Sequence, residues 1–137
     1  MAAQVQTVPV QYVHAVWDKI EPFLAAGMDY ADGDLTIDEV KVYVLQGTWS
    51  LLVAVDEENQ IYGATTVNYF NRINDRVAFV TTIGGRGLFT PDIVSQFSDI
   101  LRSNGATCIE GTVRDSLVRL LARISARKKS NTVKIKI

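Results

Sequence analysis

Apolar side chains recur at spacings of three and four residues near the start of the chain, which is the pattern of an amphipathic helix. A short β-like run over residues 4–8 comes first. The helix is predicted over residues 9–26, with Pro9 in its first turn, Pro22 favouring a kink and Gly27 near its end. Its apolar stripe consists of Val13, Val16, Trp17, Ile20, Phe23 and Leu24.

A second, shorter helix follows a polar segment. Thr36 and Glu39 stand at the spacing of a capping box, in which each side chain binds the other residue's backbone N–H. Gly47 is the predicted end of this helix. Its apolar positions are Ile37, Val40, Val44 and Leu45.

Three β-like runs then follow one another at short intervals. They cover residues 49–55, 61–70 and 76–83, and polar turns separate them at residues 56–60 and 71–75. Strands joined by such short turns pair in antiparallel order, so the segment predicts a three-stranded meander.

The pattern then returns to the helical period. Thr90 is the predicted cap and Pro91 the first residue of a third helix, which Asn104 and Gly105 close. Its apolar stripe consists of Ile93, Val94, Phe97, Ile100 and Leu101.

The remaining segments predict a strand over residues 107–113, a last helix over 115–127 and a terminal strand over 133–137. The element order is β-α-α-β-β-β-α-β-α-β. A helix between two strands implies a crossover, so the strand at 107–113 is expected to lie parallel to the third meander strand. We therefore predict one α/β domain over residues 1–137, a mixed sheet with helices on both faces.

Composition and charge narrow the class of protein. The chain has 137 residues, of which 47% are hydrophobic, and a net charge of −1, which excludes disorder as the main state. It lacks the pattern of a secretory signal or a membrane span, and its one cysteine, Cys108, forms no internal disulfide. Residues 114–137 hold eight basic side chains and one acidic one, whereas residues 1–113 hold six and fourteen.

Four segments, taken in order, resemble one family. They are YADGDLTIDEV, GTWSLLVAVDEENQIYGATTV, TTIGGRGL and NGATCIEGTVRDSLVRLL. Their order and spacing resemble the GCN5-related N-acetyltransferase (GNAT) fold, and more narrowly the small GNAT-like proteins of tailed bacteriophages.

The resemblance implies a cofactor site at the strand-to-helix turn. There the backbone N–H groups of Gly84, Gly85, Arg86 and Gly87 would hold the pyrophosphate of acetyl-CoA, since a helix N-terminus favours anions. The same glycines are also what a simple tight turn requires, and both interpretations stay open. Two departures count against this implication: Pro91 removes one donor for the cofactor, and residues 115–131 contain no tyrosine to serve as the general acid of catalysis.

Other candidate chemical groups give weaker indications of function. His14 has no recognisable nucleophile motif around it, and Cys108 reads as an apolar filler of a buried strand. One histidine and one cysteine make no zinc site. The acidic run at residues 29–39 fails the calcium-loop template and reads as a solvated loop that caps the second helix, or as a rim that attracts an amine.

Arg119, Arg123 and Arg127 recur every four residues on the predicted last helix, and Lys128 and Lys129 extend this basic face. One interpretation is a solvated helix face with cations near its C-terminus. The other is an interaction surface for phosphates, including nucleic acid, or for an acidic neighbour.

Two functions follow. The first is a non-catalytic phage protein, a virion-associated component that contacts other phage proteins or copies of itself, in the virion or the host cytoplasm. The alternative is an acetyl-CoA-dependent N-acetyltransferase acting on an amine. The sequence identifies no catalytic base, and acetyl-CoA is expected only if the turn at residues 84–87 binds it.

Overall fold

The computed structural model describes residues 3–28, 35–112, 126–129 and 132–136. Two helices follow the first strand, a meander comes next, and a third helix precedes the last strands. The elements are β1 (Gln4–Val8), a 3₁₀ turn (Val10–Tyr12), α1 (Val13–Met28), α2 (Ile37–Leu45), β2 (Ser50–Val55), β3 (Ile61–Asn71), β4 (Arg76–Gly85), α3 (Pro91–Ser103), β5 (Cys108–Thr112), β6 (Ala126–Lys129) and β7 (Thr132–Lys136).

The strands form one mixed sheet in the order β1-β2-β3-β4-β5-β7-β6. β4 and β5 are parallel, and the other neighbours in the sheet are antiparallel. The predicted α/β class, the meander and the parallel crossover are therefore confirmed.

α2 and α3 begin where their capping residues predict, whereas the first helix, predicted from Pro9, begins as a 3₁₀ turn and becomes α-helical at Val13. Thr36 accepts a hydrogen bond from the Glu39 backbone N–H, and the Glu39 carboxylate accepts one from the Thr36 N–H, so the capping box is complete. Thr90 caps α3 in the same way through the N–H of Ile93, with Pro91 in the first turn. Each such cap contributes about 1 kcal/mol to helix stability.

Each face of the sheet has its own apolar core. On one face, α1 and α2 pack against Leu51, Val53 and Val55 of β2. On the other face, Leu101 of α3 packs with Leu52 of β2 and with Val67, Ala78, Ala106 and Ile109. Because neighbouring residues of a strand face opposite sides, β2 serves both cores and reads as a continuous apolar run.

α1 approaches β4 closely at two glycines. An ideal Cβ on Gly84 would lie 1.7 Å from the carbonyl oxygen of Phe23, and one on Gly27 would lie 1.9 Å from that of Ile83. No side chain fits either gap, so these glycines are required by contact between the backbones. Gly27 therefore lies inside α1, which continues to Met28 instead of ending there.

The sequence also misplaces the end of the third meander strand. β4 continues through Gly84 and Gly85, which pair with Ala64 and Gly63 of β3. Small residues on both strands make this possible, because the backbone of α1 lies against Gly84 on one face and Leu88 lies against Gly63 on the other.

The predicted basic helix face needs correction. Arg127, predicted on the last helix, lies in β6 together with Lys128 and Lys129, and β6 pairs antiparallel with β7. A strand edge needs hydrogen-bond partners, and β6 supplies them to β7, which outweighs the helical spacing of the arginines. Arg119 and Arg123 lie outside the described residues.

Replacing Gly84 with alanine is expected to lower the free energy of unfolding by about 3 kcal/mol, because the new methyl group would overlap backbone atoms of α1. Urea denaturation measures the loss. Gly87→Asn is the control, since Gly87 (φ 72°) has no heavy atom within 4 Å of an ideal Cβ and asparagine tolerates that backbone conformation. Equal stability of Gly84→Ala and the wild type would contradict the close approach.

Candidate functional site

β4 and β5 pair over only part of their length. Residues 77–80 of β4 pair with residues 108–111 of β5, and the last pair joins Val80 to Gly111. β4 continues to Gly85 while still paired with β3. The two parallel strands therefore part after Val80, and we call this point the fork.

A β-bulge lies at the fork. Thr66 pairs with Thr82 and Val67 with Val80, so Thr81 is an extra residue on β4. The Thr66 hydroxyl, fully buried, lies 2.6 Å from the Thr81 hydroxyl and 2.5 Å from that of Thr82. The Thr65 hydroxyl donates to the Thr82 carbonyl oxygen at 2.7 Å. A bulge re-aims the backbone at this point, and the hydroxyl network holds it in place.

A cleft of about 100 Å³ lies between the sheet and the N-terminal half of α3. Leu88 and Phe89 of the loop after β4 line it together with Ile93 and Phe97 of α3. Val80 and Gly111, the last pair before the fork, line its floor. The lining is almost entirely apolar, which suits an uncharged ligand chain.

The four residues predicted to hold a cofactor occupy two different environments. Gly84 and Gly85 belong to the ladder of β4, and Arg86 and Gly87 form the turn after it. Gly85 and Gly87 have positive φ values of 131° and 72°. Space for a ligand exists at Gly87, since nothing lies within 4 Å of an ideal Cβ there, whereas Gly84 is filled by α1.

The N-terminus of α3 offers few free donors. Pro91 has no N–H, the Ile93 N–H binds the Thr90 side chain, and the Val94 N–H binds the Thr90 carbonyl oxygen. Asp92 adds a carboxylate in the first turn. An anion at this end of α3 would therefore meet both a missing donor and a negative charge.

The pKa of Tyr62 is affected by the same negative charge. Its pKa is raised from the ordinary value, first because burial disfavours the phenolate and then because Asp56 and Asp92 are nearby negative charges. Arg86, in the turn, is the nearest basic residue along the chain to Asp92.

A carboxylate lies one residue before the fork. Glu110 of β5 is only 4% exposed and forms an ion pair with Arg72, which follows β3. The guanidinium carbon of Arg72 lies 5.2 Å from the centre of the Phe70 ring, and Phe70 packs at 6.4 Å against Phe79 of β4. Phe79 is the register partner of Glu110.

Glu110 and the cleft approach the fork from opposite faces. Ile109 belongs to the core under α3, and neighbouring residues of a strand alternate, so the Glu110 side chain lies on the face of α1 and α2. Tyr69 likewise packs toward α3, which places Phe70 with Glu110. The fork thus joins an apolar cleft on one face to a buried carboxylate on the other.

The remaining candidate groups are not among the residues that line the cleft. His14 is exposed on α1 and Cys108 is buried in β5. The described ranges contain no cluster of three or more potential metal ligands. The acidic positions from 29 to 34 lie outside the described residues. Among the helices that the structure describes, none has the length and apolar character of a membrane span.

No protein-family model matches the sequence, and no curated protein matches it significantly. Solved structures do match in three dimensions. A chain of the NatC complex bound to Gag peptide and CoA has a TM-score of 0.67 at 12% identity, over 100% of this chain and 99% of that one. Ribosomal-protein-alanine N-acetyltransferase from Brucella melitensis has a TM-score of 0.66 at 14% identity, over 94% of each chain.

A GNAT-family acetyltransferase from Streptococcus pneumoniae also matches, with a TM-score of 0.60 at 10% identity over 98% of this chain and 99% of that chain. The chain has the GNAT fold. The likeness spans nearly the whole length of both chains, so the fold resemblance drawn from the four sequence segments is confirmed. At these identities the GNAT likeness concerns the fold, and activity must be argued from the residues.

Glu110 and Arg72 are not among the site residues that the sequence predicts. The available signal was the single charge inside the otherwise apolar or small run of β5, Cys108–Thr112. A charged residue in a buried strand is rarely there without a partner or a role. Its partner is 38 positions away, so nothing in the local pattern identifies it.

Thr66→Val is expected to lower the free energy of unfolding by about 1–3 kcal/mol, because the Thr82 hydroxyl would lose a buried hydrogen-bond partner. Chemical denaturation measures the change. Thr7→Val makes the same substitution at an exposed strand position and serves as the control. Equal effects of the two variants would contradict the buried network.

Proposed function

We propose that this chain binds acetyl-CoA at the fork and transfers its acetyl group to an amine. The observation that carries the proposal is the arrangement around the fork, where an apolar cleft lies on one face and the buried Glu110 carboxylate on the other. A donor and an acceptor entering from opposite faces would meet between β4 and β5.

The residues at the fork fit the long arm of a CoA thioester. Beyond Val80, the β5-facing backbone groups of β4 have no strand partner among the described residues, and such groups need hydrogen bonds. The arm of CoA carries amide groups that can supply them. Gly87 leaves room for the pyrophosphate, and Arg86 is a positive charge in the same turn.

Bound acetyl-CoA would supply an acetyl group as a reactive thioester. Glu110 is the group we assign to proton transfer: its carboxylate accepts the proton that an ammonium must lose before its nitrogen can attack a carbonyl carbon. As the new C–N bond forms, the C–S bond breaks and the sulfur leaves as a thiolate. The hydroxyls of Thr66 and Thr81 hold the bulge by a hydrogen bond, which keeps the β4 backbone rigid beside the reacting atoms.

Affinity for the cofactor is expected to be limited by Asp92, since this carboxylate lies where the pyrophosphate would approach α3. Asp92→Asn should therefore strengthen acetyl-CoA binding, and Gly87→Asp should weaken it. Each change is expected to be about tenfold, the order of one unit charge a few ångströms away. Isothermal titration calorimetry measures both dissociation constants.

Gly87→Asn is the matched control for Gly87→Asp, because the two side chains have the same shape and differ in charge. It should bind acetyl-CoA as the wild type does. The absence of heat at millimolar acetyl-CoA from both the wild type and Asp92→Asn would rule out the acetyltransferase.

A second candidate is the non-catalytic, virion-associated role. It is favoured by the few free donors at the start of α3 and by Asp92 in its first turn, which suit a GNAT fold that no longer needs its cofactor. Its partners would be other phage proteins or further copies of this chain, and the basic strand β6 offers positions for an anionic neighbour, nucleic acid included.

For this second candidate, mass spectrometry of purified phage particles is expected to detect the chain at a constant ratio to the structural proteins. Particles that lack it would end the virion proposal, whatever the calorimetry shows.

A further inference from the structure

Arg72 lies across two features that attract cations. Its guanidinium pairs with the Glu110 carboxylate and lies over the face of the Phe70 ring, 5.2 Å from its centre. A buried carboxylate attracts a cation by charge, and an aromatic face attracts it through its quadrupole. Together they form a two-sided cation site on the face of the sheet opposite α3.

The two partners of this ion pair are exposed to very different extents. The Glu110 side chain is 5% exposed, whereas the Arg72 side chain is 46% exposed. Glu110 is fixed within β5, but Arg72 reaches the site from the turn between β3 and β4, next to the fully exposed Ile73. The carboxylate is thus the buried partner of the pair, and the Arg72 side chain is the partner that solvent can reach.

Arg76, in the same hairpin, is an arginine with more partners than Arg72, and the two can be compared. Its side chain donates to the Asn104 carbonyl oxygen and to the Asn71 side chain, and it lies over the Tyr69 ring. In the described structure, Arg72 donates to Glu110 and contacts Phe70. Replacing Arg72 at the site by another cation costs fewer contacts than replacing Arg76 would.

We propose that Glu110 and Phe70 form a binding site for an alkylammonium or guanidinium group, which Arg72 of the same chain occupies until a cationic acceptor displaces it. This inference rests on the proposed function and names its substrate class: amines that arrive protonated. Arg72 then acts as an internal competitor, and it keeps the buried carboxylate paired while no acceptor is bound.

The site can be tested without any catalysis. Arg72→Ala removes the ion-pair partner that the described residues give Glu110, and it is expected to lower the melting temperature. Methylguanidinium chloride or ethylammonium chloride, at millimolar concentration, should restore about half of that loss or more, because a ligand that binds only the folded state stabilises it. The wild type should gain less than Arg72→Ala at the same concentration, because each cation must first displace Arg72.

Arg102→Ala is the matched control. Arg102 also pairs with a carboxylate, that of Asp99, and its side chain is 49% exposed, but both partners are on the surface of α3 and form no enclosed site. Neither cation should stabilise this variant. Sodium chloride at the same concentration controls for screening by salt.

The double variant Arg72→Ala/Glu110→Gln keeps the experiment decisive if Arg72→Ala alone fails to fold. It buries no unpaired charge, so it should fold, and it should gain nothing from either cation. Stabilisation of the double variant, or none in a folded Arg72→Ala, would overturn the proposed site. If the cations stabilise Arg72→Ala but calorimetry detects no binding of acetyl-CoA, the cation site is supported and the acetyl-transfer role is rejected.

Discussion

The partial pairing of β4 is the constraint on which the candidate site depends. β4 pairs with β3 down to Gly85, but with β5 it pairs only as far as Val80. A parallel ladder that stops inside a sheet leaves a row of backbone donors and acceptors that must be satisfied by something other than a strand. The fork is therefore a place where a ligand with amide groups can take the position of a missing neighbour.

A fork of this kind needs support, because β4 loses one of its two neighbours there. Two features of the described structure provide it. On the face of α1, the glycine contacts at Gly27 and Gly84 bring helix and strand together backbone to backbone. Within the sheet, the hydroxyls of Thr66, Thr81 and Thr82 hold the bulge. Rigid support of this sort is what a site needs to hold reacting groups at fixed distances.

Much of the fold follows from local sequence signals. The apolar periodicity predicts α1, α2 and α3, the cap residues Thr36 and Thr90 locate helix starts, and short polar turns predict the meander. Each of these signals arises within a few neighbouring residues, which is why sequence alone is sufficient for them.

Other features depend on residues that are distant along the chain. Whether Gly84 ends a strand or lies under a helix depends on Phe23, some sixty positions earlier. β6 forms by pairing with the edge of β7, although the spacing of the arginines around β6 favours a helix. The role of Glu110 as one half of an ion pair depends on Arg72, in the turn between β3 and β4. Such features require the packed structure, since local propensity is a weak determinant where tertiary contacts decide.

The two faces of the fork also differ in electrostatics, and that difference favours a different kind of ligand on each face. On the α3 face, the cleft lining is almost entirely apolar and Asp92 lies in the first turn of α3, so a neutral chain is favoured and an anionic end is not. On the opposite face, the buried Glu110 is compensated by Arg72, whose side chain is 46% exposed. An uncharged acyl arm entering from one side and a cationic amine from the other would each find complementary surroundings. If the two were exchanged, the amine would meet apolar side chains and the acyl arm a buried charge, and both arrangements are costly.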